Sequence, residues 1–290
     1  MIKLTPMKEA EAIIRLALSE DIGTGDLTTL AFAPAKGVFE GYMVAKQPGV
    51  FCGAPAAERV FKIVDPGCRV TRLAREGARV KPGARLMKIR GGRAILTAER
   101  TALNFLQHLS GIATAASVYA AALGRGRTKI YDTRKTQPGL RALAKYAVRC
   151  GGGRNHRRGL WDAYLIKDNH IAMLGPGAAE KLEALLRRIR AARPGVPVEI
   201  EAQTREQALA FAALKPDILM LDNMGRPLMK KLIPELRRLA PGMEIELSGG
   251  IKLGDLRALA GLGADRISSS AITAGAGTLD ISFQVSEVKK

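Results

Sequence analysis

The sequence predicts an α/β protein whose second half forms a (β/α) barrel, complete or incomplete. Two observations carry that expectation. Short β-rich runs recur through the second half, and helical stretches separate most of them. That rhythm belongs to parallel strands joined by crossover helices. The composition is globular, with 47% hydrophobic and 25% charged residues, so a core can form. At roughly 150 residues per domain, the 290 residues suggest two domains. A doubly wound open sheet is the competing architecture.

The first hundred residues read as a mixed α/β unit. Glu9–Ser19 has helical spacing, and Asp21-Ile-Gly-Thr-Gly-Asp26 is a turn-rich loop. Gly37–Lys46 suits a strand, with Val38, Tyr42 and Val44 on its inner face. Ala54–Val64 is helical, and Arg69–Arg90 reads as short strands joined by Gly-containing turns. Within it, Glu76–Gly83 and Leu86-Met-Lys-Ile89 faintly resemble a biotin or lipoyl carrier module. The modified Lys of such a module occupies a hairpin turn. Lys88 has no Gly, Asn or Pro beside it, so it reads as a solvent-facing strand residue. Thr101–Gly124 holds 24 residues without Asp, Glu, Lys or Arg, long enough to span a bilayer. Asn104, Gln107, His108 and Ser110 argue against that, and Gly111 interrupts the segment. Two buried helical pieces are expected instead.

The second half supplies six β-rich runs: Lys129–Thr133, Ala163–Ile166, Val198–Ile200, Ile218–Leu221, Glu244–Leu247 and Arg266-Ile267. Helical stretches at Ala178–Ala192, Thr204–Leu214, Arg226–Leu239 and Leu253–Leu262 separate most of them. In a barrel, active sites collect where strands end. The run ends carry Thr133-Arg-Lys-Thr136, Lys167-Asp-Asn-His170, Glu201, Asp222-Asn223, Ser248-Gly-Gly250 and Ser268-Ser-Ser270. Any one of these is also explained as a cap or a turn. Together they form a row of cations, acids and small polar residues on one rim.

Charge points to an anionic partner. Lys and Arg number 46 against 27 Asp and Glu, a formal charge of +19. From Arg134 to Lys167 there are nine Lys or Arg and one acid, Asp162. Gly151-Gly-Gly153 lets backbone approach an anion closely, and Arg forks grip carboxylates and phosphates. Glu201 and Asp222 on the same rim fit a small polyanion with a divalent metal better than nucleic acid. Aromatics are only 4%, too few for a base-stacking surface. There is no P-loop, and Gly23-Thr-Gly25 lacks the third Gly of a dinucleotide fingerprint because Thr28 stands there. Asp222 is followed by Asn223, so the Asp-Asp signature of the common phosphoribosyltransferases is absent. Cys52, Cys68 and Cys150 form no metal-ligand pattern and no disulfide framework, which suits a reducing cytoplasm. The run Ile13–Leu18 is short and carries Arg15, so no signal peptide is expected.

At these residues the chain resembles the quinolinate phosphoribosyltransferases, also called carboxylating nicotinate-nucleotide pyrophosphorylases. The matching stretches are Glu20–Thr29, Glu99–Asn104 with Ser110-Gly111, Thr133–Thr136 with Pro138–Arg141, and Gly151–Gly153 with Asn155–Arg157. Leu165–Ile171, Glu199–Glu201, Leu221–Asn223 and Ser248–Ile251 complete the series in order. The resemblance implies an N-terminal α/β sandwich over 1–113, to which 276–290 returns. It also implies an open or incomplete α/β barrel of six or seven parallel strands over 114–275. It further implies a homodimer or higher homo-oligomer whose sites are completed by the neighbouring subunit. The reaction would join quinolinate to phosphoribosyl pyrophosphate, giving nicotinate mononucleotide, pyrophosphate and CO₂, with Mg²⁺ as cofactor.

Site roles follow from the same resemblance. Arg100 of the neighbouring subunit, Arg134, His156 and Arg157 would hold the two quinolinate carboxylates. Lys135 and Lys167 would line the site between the substrates. Glu201 and Asp222 would sit by the ribose hydroxyls and Mg²⁺, directly or through water or substrate. Ser248, Gly249 and Gly250, with Ser269 and Ser270 of the loop after Ile267, would take the 5′-phosphate. Two positions depart from the family pattern: Ser270 replaces a Gly, and Thr273-Ala-Gly275 replaces Thr-His-Ser. The hydroxyls of Ser268, Ser269 and Ser270 are expected to compensate for the missing His. Competing readings are a molybdate-transport-associated paralogue of the same fold, a nicotinate or nicotinamide salvage transferase, and a non-catalytic basic nucleic-acid-binding protein.

Overall fold

The computed structural model describes residues 6–287. The elements begin with α1 (Pro6–Ile22), α2 (Leu27–Phe32), β1 (Phe39–Ala45), β2 (Gly49–Val50) and α3 (Ala54–Val64). Next come β3 (Arg69–Arg72), β4 (Arg79–Val80), β5 (Arg85–Gly91), α4 (Ala94–Leu123), β6 (Lys129–Tyr131) and α5 (Arg141–Cys150). Then follow β7 (Tyr164–Ile166), α6 (Asp168–Ala172), α7 (Ala178–Ala192), β8 (Val198–Ala202) and α8 (Arg205–Ala213). The chain continues through β9 (Ile218–Asp222), α9 (Arg226–Leu239), β10 (Glu244–Ser248), α10 (Leu256–Ala260), β11 (Arg266–Ser268) and β12 (Ile281–Glu287).

These elements form two units. The first takes the chain up to Val118, then Lys135–Gly153, and the C-terminal segment from Ala271. Its main sheet is antiparallel, in the order β12-β1-β5-β3. β1 buries Phe39, Gly41, Met43, Val44 and Ala45, while Val38 is 40% exposed. Of the expected Val38, Tyr42 and Val44, Val44 is buried, beside an irregularity in the pairing with β5, while up to Met43 the core face is one residue out of step with the other two. Gly41 sets the register. A side chain there would press on Phe283 and Val285 of the neighbouring β12, so the face must stay open for them. Tyr42, on the other face, packs under the cations of Arg85 and Lys88. Lys88 reaches Glu40 across the pair at 2.8 Å, an ordinary strand residue.

The segment expected as two helical pieces is one helix, α4, of 30 residues. Gly111 does not break it. A side chain at 111 would collide with the carbonyl of Gly277, so the glycine admits the returning C-terminal segment. The polar positions along α4 bind backbone. Ser110 Oγ accepts from Cys52 N–H and donates to the Cys52 carbonyl, and Gln107 donates to Ile281 O. No helix among the described residues is long and apolar enough to cross a membrane. At the head of α3, Glu76 accepts from Gly53 N–H, Ala54 N–H and Tyr146 Oη at 2.8–3.0 Å. Cys52 and Cys150 flank this carboxylate with their ligand atoms within 4.8 Å. Glu76 accepts these three bonds and a longer one from Cys150 Sγ at 4.0 Å, which makes it a helix cap rather than a ligand, and the cysteines form no disulfide.

The second unit comprises Tyr119–Arg134 and Arg154–Ser270. Its six strands pair in parallel, in the order β6-β11-β10-β9-β8-β7. Consecutive strands from β7 to β11 are neighbours, and the last turns back to the first. That is an open (β/α) barrel, with its gap between β6 and β7. A doubly wound sheet would reverse its order midway. Val198, Ile200, Ala202, Leu219, Leu221, Ile245, Leu247 and Ile267 form the buried strand core. Helix α9 covers it with Met229, Leu232, Ile233 and Leu236, a 3-4 spacing along one face.

Candidate active site

Parallel strands place their C-terminal ends on one rim. Ile166 of β7 is in register with Ile200 of β8, so Lys167 leaves its strand beside Glu201. Its Nζ lies 3.7 Å from the Glu201 carboxylate. Glu201 is buried, and burial first, then the charge of Asp222, pushes its carboxyl above the ordinary range, while Lys167 opposes them. Asp222 ends β9 directly opposite Ser248 at the end of β10.

The turn between these last two is tightly built. Asn223 adopts φ 54°, donates its N–H to Ser248 O at 3.0 Å, and gives its side-chain amide to Asp222 at 2.7 Å. Gly249, at φ 97°, faces Asn223 so closely that any side chain would collide with it. Across the rim, Ser269 N–H donates to Tyr131 O at 3.1 Å. The Ser269 hydroxyl lies 3.3 Å from Ile251 O and donates to it, so it is directed at backbone. Ser268 is buried, and half-buried Ser270 opens a 3₁₀ turn.

Beside β6 the chain returns at Arg154. Arg154 N–H donates to Ile130 O and Asp132 N–H to Arg154 O, a parallel bridge on the open side of the barrel. Asp132 is fully buried and accepts from Asn155 Nδ2 at 2.6 Å and His156 N–H at 2.9 Å. This fixes the Asn155-His-Arg157 segment. Arg157 donates to Ala163 O at 3.2 Å. The buried Nε atoms of Arg134 and Arg157 have no hydrogen-bond partner in the protein. Burial, then the charge of Arg134, holds the Arg157 guanidinium below its usual range. Two neighbouring guanidiniums with unused buried donors form a receptor for an anion.

His156 is buried behind them. Its Nδ1 accepts from Arg157 N–H at 2.8 Å. Its Nε2 lies 3.0 Å from Glu199 and 3.5 Å from Glu246. Burial opposes a charge on this group, but the two carboxylates pull its pKa up to about 10. Burial and Glu246 together push the Glu199 carboxyl up.

The second unit thus brings together Arg134, His156, Arg157, Lys167, Glu201, Asp222, Ser248, Gly249, Gly250, Ser269 and Ser270. Arg100, exposed on α4, and exposed Lys135, whose carbonyl accepts from Thr273, belong to the first unit. Sequence reasoning assigned no role to Asp132, Glu199 or Glu246. The available signal was spacing. Glu199 and Glu246 each lie two residues before a rim residue, and so on the same face of their strands.

Comparison with known proteins agrees with this geometry. The N-terminal domain model of quinolinate phosphoribosyl transferase matches residues 26–110, and the C-terminal domain model matches residues 112–284. The nicotinate-nucleotide pyrophosphorylase [carboxylating] of Mycobacterium leprae is 42% identical, with 95% of this chain and 97% of that protein covered. The chloroplastic enzyme of Arabidopsis thaliana is 37% identical over 97% of this chain and 84% of its own length. The crystal structure of NadC from Streptococcus pyogenes covers both chains fully at 37% identity, with a TM-score of 0.90. The nicotinate-nucleotide pyrophosphorylase of Francisella tularensis matches at 36% identity and a TM-score of 0.86, covering 98% of each chain. With both domain models matched in order and relatives aligned along nearly its whole length, the chain belongs to the quinolinate phosphoribosyltransferase family.

Proposed function

We propose that the protein transfers the phosphoribosyl group of phosphoribosyl pyrophosphate to quinolinate, with loss of CO₂. The products are nicotinate mononucleotide and pyrophosphate, a step of NAD biosynthesis. Relatives named as carboxylating pyrophosphorylases support this reading. The observation that carries it is the Arg134–Arg157 pair, with buried donors unused, on the rim that also carries Glu201 and Asp222. Quinolinate is a dianion, and a paired guanidinium site matches two carboxylates. Transfer passes through a ribosyl cation, which the carboxylates of Glu201 and Asp222 stabilise. As the ring nitrogen bonds to the ribose carbon it becomes positive, and the adjacent carboxylate can leave as CO₂.

The residues fit Mg²⁺. Burial first, then the charge of Asp222, raises the Glu201 pKa, so the two carboxylates sense one another, and hard oxygen donors are those this ion takes. Glu201 and Asp222 would hold it, directly or through water or substrate, and it would neutralise charge on the departing pyrophosphate. Lys167, beside Glu201, and Lys135 take the position between the substrates. Ser248, Gly249, Gly250, Ser269 and Ser270 receive the 5′-phosphate. Arg100 reaches the site of a neighbouring subunit in a homodimer or larger assembly. A cytoplasmic location goes with this reading. The test is product analysis with quinolinate, phosphoribosyl pyrophosphate and Mg²⁺. Nicotinate mononucleotide and CO₂ in equal amounts are expected, and their absence from folded protein rejects the assignment.

A further inference from the structure

We propose that Cys52 and Cys150 form a reversible oxidation site, at which a hydroperoxide such as hydrogen peroxide converts the two thiols into a disulfide. Both residues belong to the first unit, and the site does not depend on the phosphoribosyl transfer.

Three elements bring the sulfurs together. Cys52 stands two residues before α3, and Cys150 is the last residue of α5. Helix α4 holds both backbones. Ser110 Oγ accepts the Cys52 N–H at 2.9 Å and donates to the Cys52 carbonyl at 3.0 Å. Gly151 sits so close to the Ala113 carbonyl that any side chain there would collide. The two sulfurs and a Glu76 carboxylate oxygen all lie within 4.8 Å of one another. A disulfide is about 2 Å long, so at most roughly 3 Å remains to be closed, a task for side-chain rotation between two fixed backbones.

The two cysteines are not equivalent. Cys52 is fully buried, and burial first, then its hydrogen bond to Cys150, pushes its thiol well up. Cys150 is half-buried and, as a thiol, donates to Glu76 at 4.0 Å. The hydrogen bond from Cys52 brings the Cys150 thiol below its ordinary range, against burial and the Glu76 charge, with Tyr146 and Arg149 adding to it. Cys150 is thus the attacking sulfur and Cys52 the resolving one. The Cys150 thiolate attacks a peroxide oxygen, the O–O bond breaks, and hydroxide leaves to become water with the proton that Cys150 gave up. The Cys52 sulfur then attacks the sulfenic acid, the S–O bond breaks, and the hydroxyl leaves as water with the Cys52 proton. Two thiols lose two electrons and one peroxide gains them. A thiol reductant reverses the bridge by exchange. Cys68 is the internal control, buried and with its thiol pushed up by burial.

Peroxide treatment of the reduced full-length protein, followed by alkylation in denaturant, tests this. Free thiols should fall from three to one, because two are consumed. Non-reduced mass spectra should show a peptide linking Cys52 to Cys150, and dithiothreitol should restore all three thiols. Three retained thiols, a bridge to Cys68, a bridge between two chains, or Cys150 driven to sulfinic acid without a bridge overturns the proposal. Variants separate the roles. In Cys52→Ser the oxidation should stop at a Cys150 sulfenic acid, which dimedone captures. Cys150→Ser should leave Cys52 a thiol, and dimedone capture at Cys52 there would reverse the assigned roles and so overturn them. Cys68→Ser should bridge at the wild-type rate, and a bridge slowed tenfold counts against the pair acting alone. The wild-type mapping decides the outcome even where a variant does not fold, and none of these readouts requires turnover of quinolinate.

Discussion

Arg134 and Arg157 gain their importance from donors that the fold leaves unused. Arg134→Ala should raise the quinolinate requirement on the order of 10²-fold. The phosphoribosyl pyrophosphate requirement should hardly move, and steady-state kinetics with each substrate varied will read both. Equal losses would move Arg134 out of the quinolinate pocket. Glu201 makes a second, opposite-signed case. Burial first, then Asp222, raises its folded pKa above the unfolded one. The native state therefore gains from Glu201 only while it is protonated, and loses that gain as pH rises through the shifted value. Glu201→Gln should abolish turnover yet raise the melting temperature of metal-free protein near neutral pH. The gain should vanish near pH 4, about the ordinary Glu range; melts at both pH values decide it. The rim residues were legible in the sequence because the residue after a parallel strand must lie on the rim. Glu199 and Glu246 were not, because a carboxylate inside a strand looks the same on paper whether it faces solvent or a buried imidazole.

At the scale of elements, glycine was the hardest residue to interpret. Gly111 reads as an interruption, yet α4 runs through it unbroken. Its purpose is tertiary: the Gly277 carbonyl lies where a side chain would be. Intrinsic propensity favours Ala over Gly inside a helix by about 1 kcal/mol. Here Gly111→Ala should instead destabilise the protein, by about 1–3 kcal/mol, because the collision is with backbone that must shift. Urea unfolding settles the sign, and a stabilised variant would show that the C-terminal segment can yield. Gly41 acts similarly in β1, where room for Phe283 and Val285 decides which residues face the core. Alternation alone put Val38 and Tyr42 on the wrong face while placing Val44 correctly, because a glycine contributes no hydrophobic signal to the face it occupies.

For the whole molecule, alternation of strands and helices was enough to separate a barrel from other α/β designs only once the β11–β6 pairing was known. No local pattern records that closure, since its partners are Ser268 and Tyr131, far apart in sequence. The assembly inference is tested by mixing. Arg100→Ala and Glu201→Ala chains, each inactive alone, should regain partial activity when subunits exchange, because one site per mixed dimer keeps both native residues. No recovery after proven exchange would assign Arg100 to its own chain. The pairing of β12 with β1 bears on how the protein is made. Phe39 pairs with Gly91 of β5 on one side and with Glu287 of β12 on the other, so the β12-facing edge of β1 stays unpaired while the intervening chain is synthesised. The six-stranded unit, built from Tyr119–Arg134 and Arg154–Ser270, has no such debt to the last strand and can fold on the ribosome first. Until β12 arrives, β1 is an open strand edge on a nascent polypeptide, the kind of surface that chaperones shield and aggregates recruit.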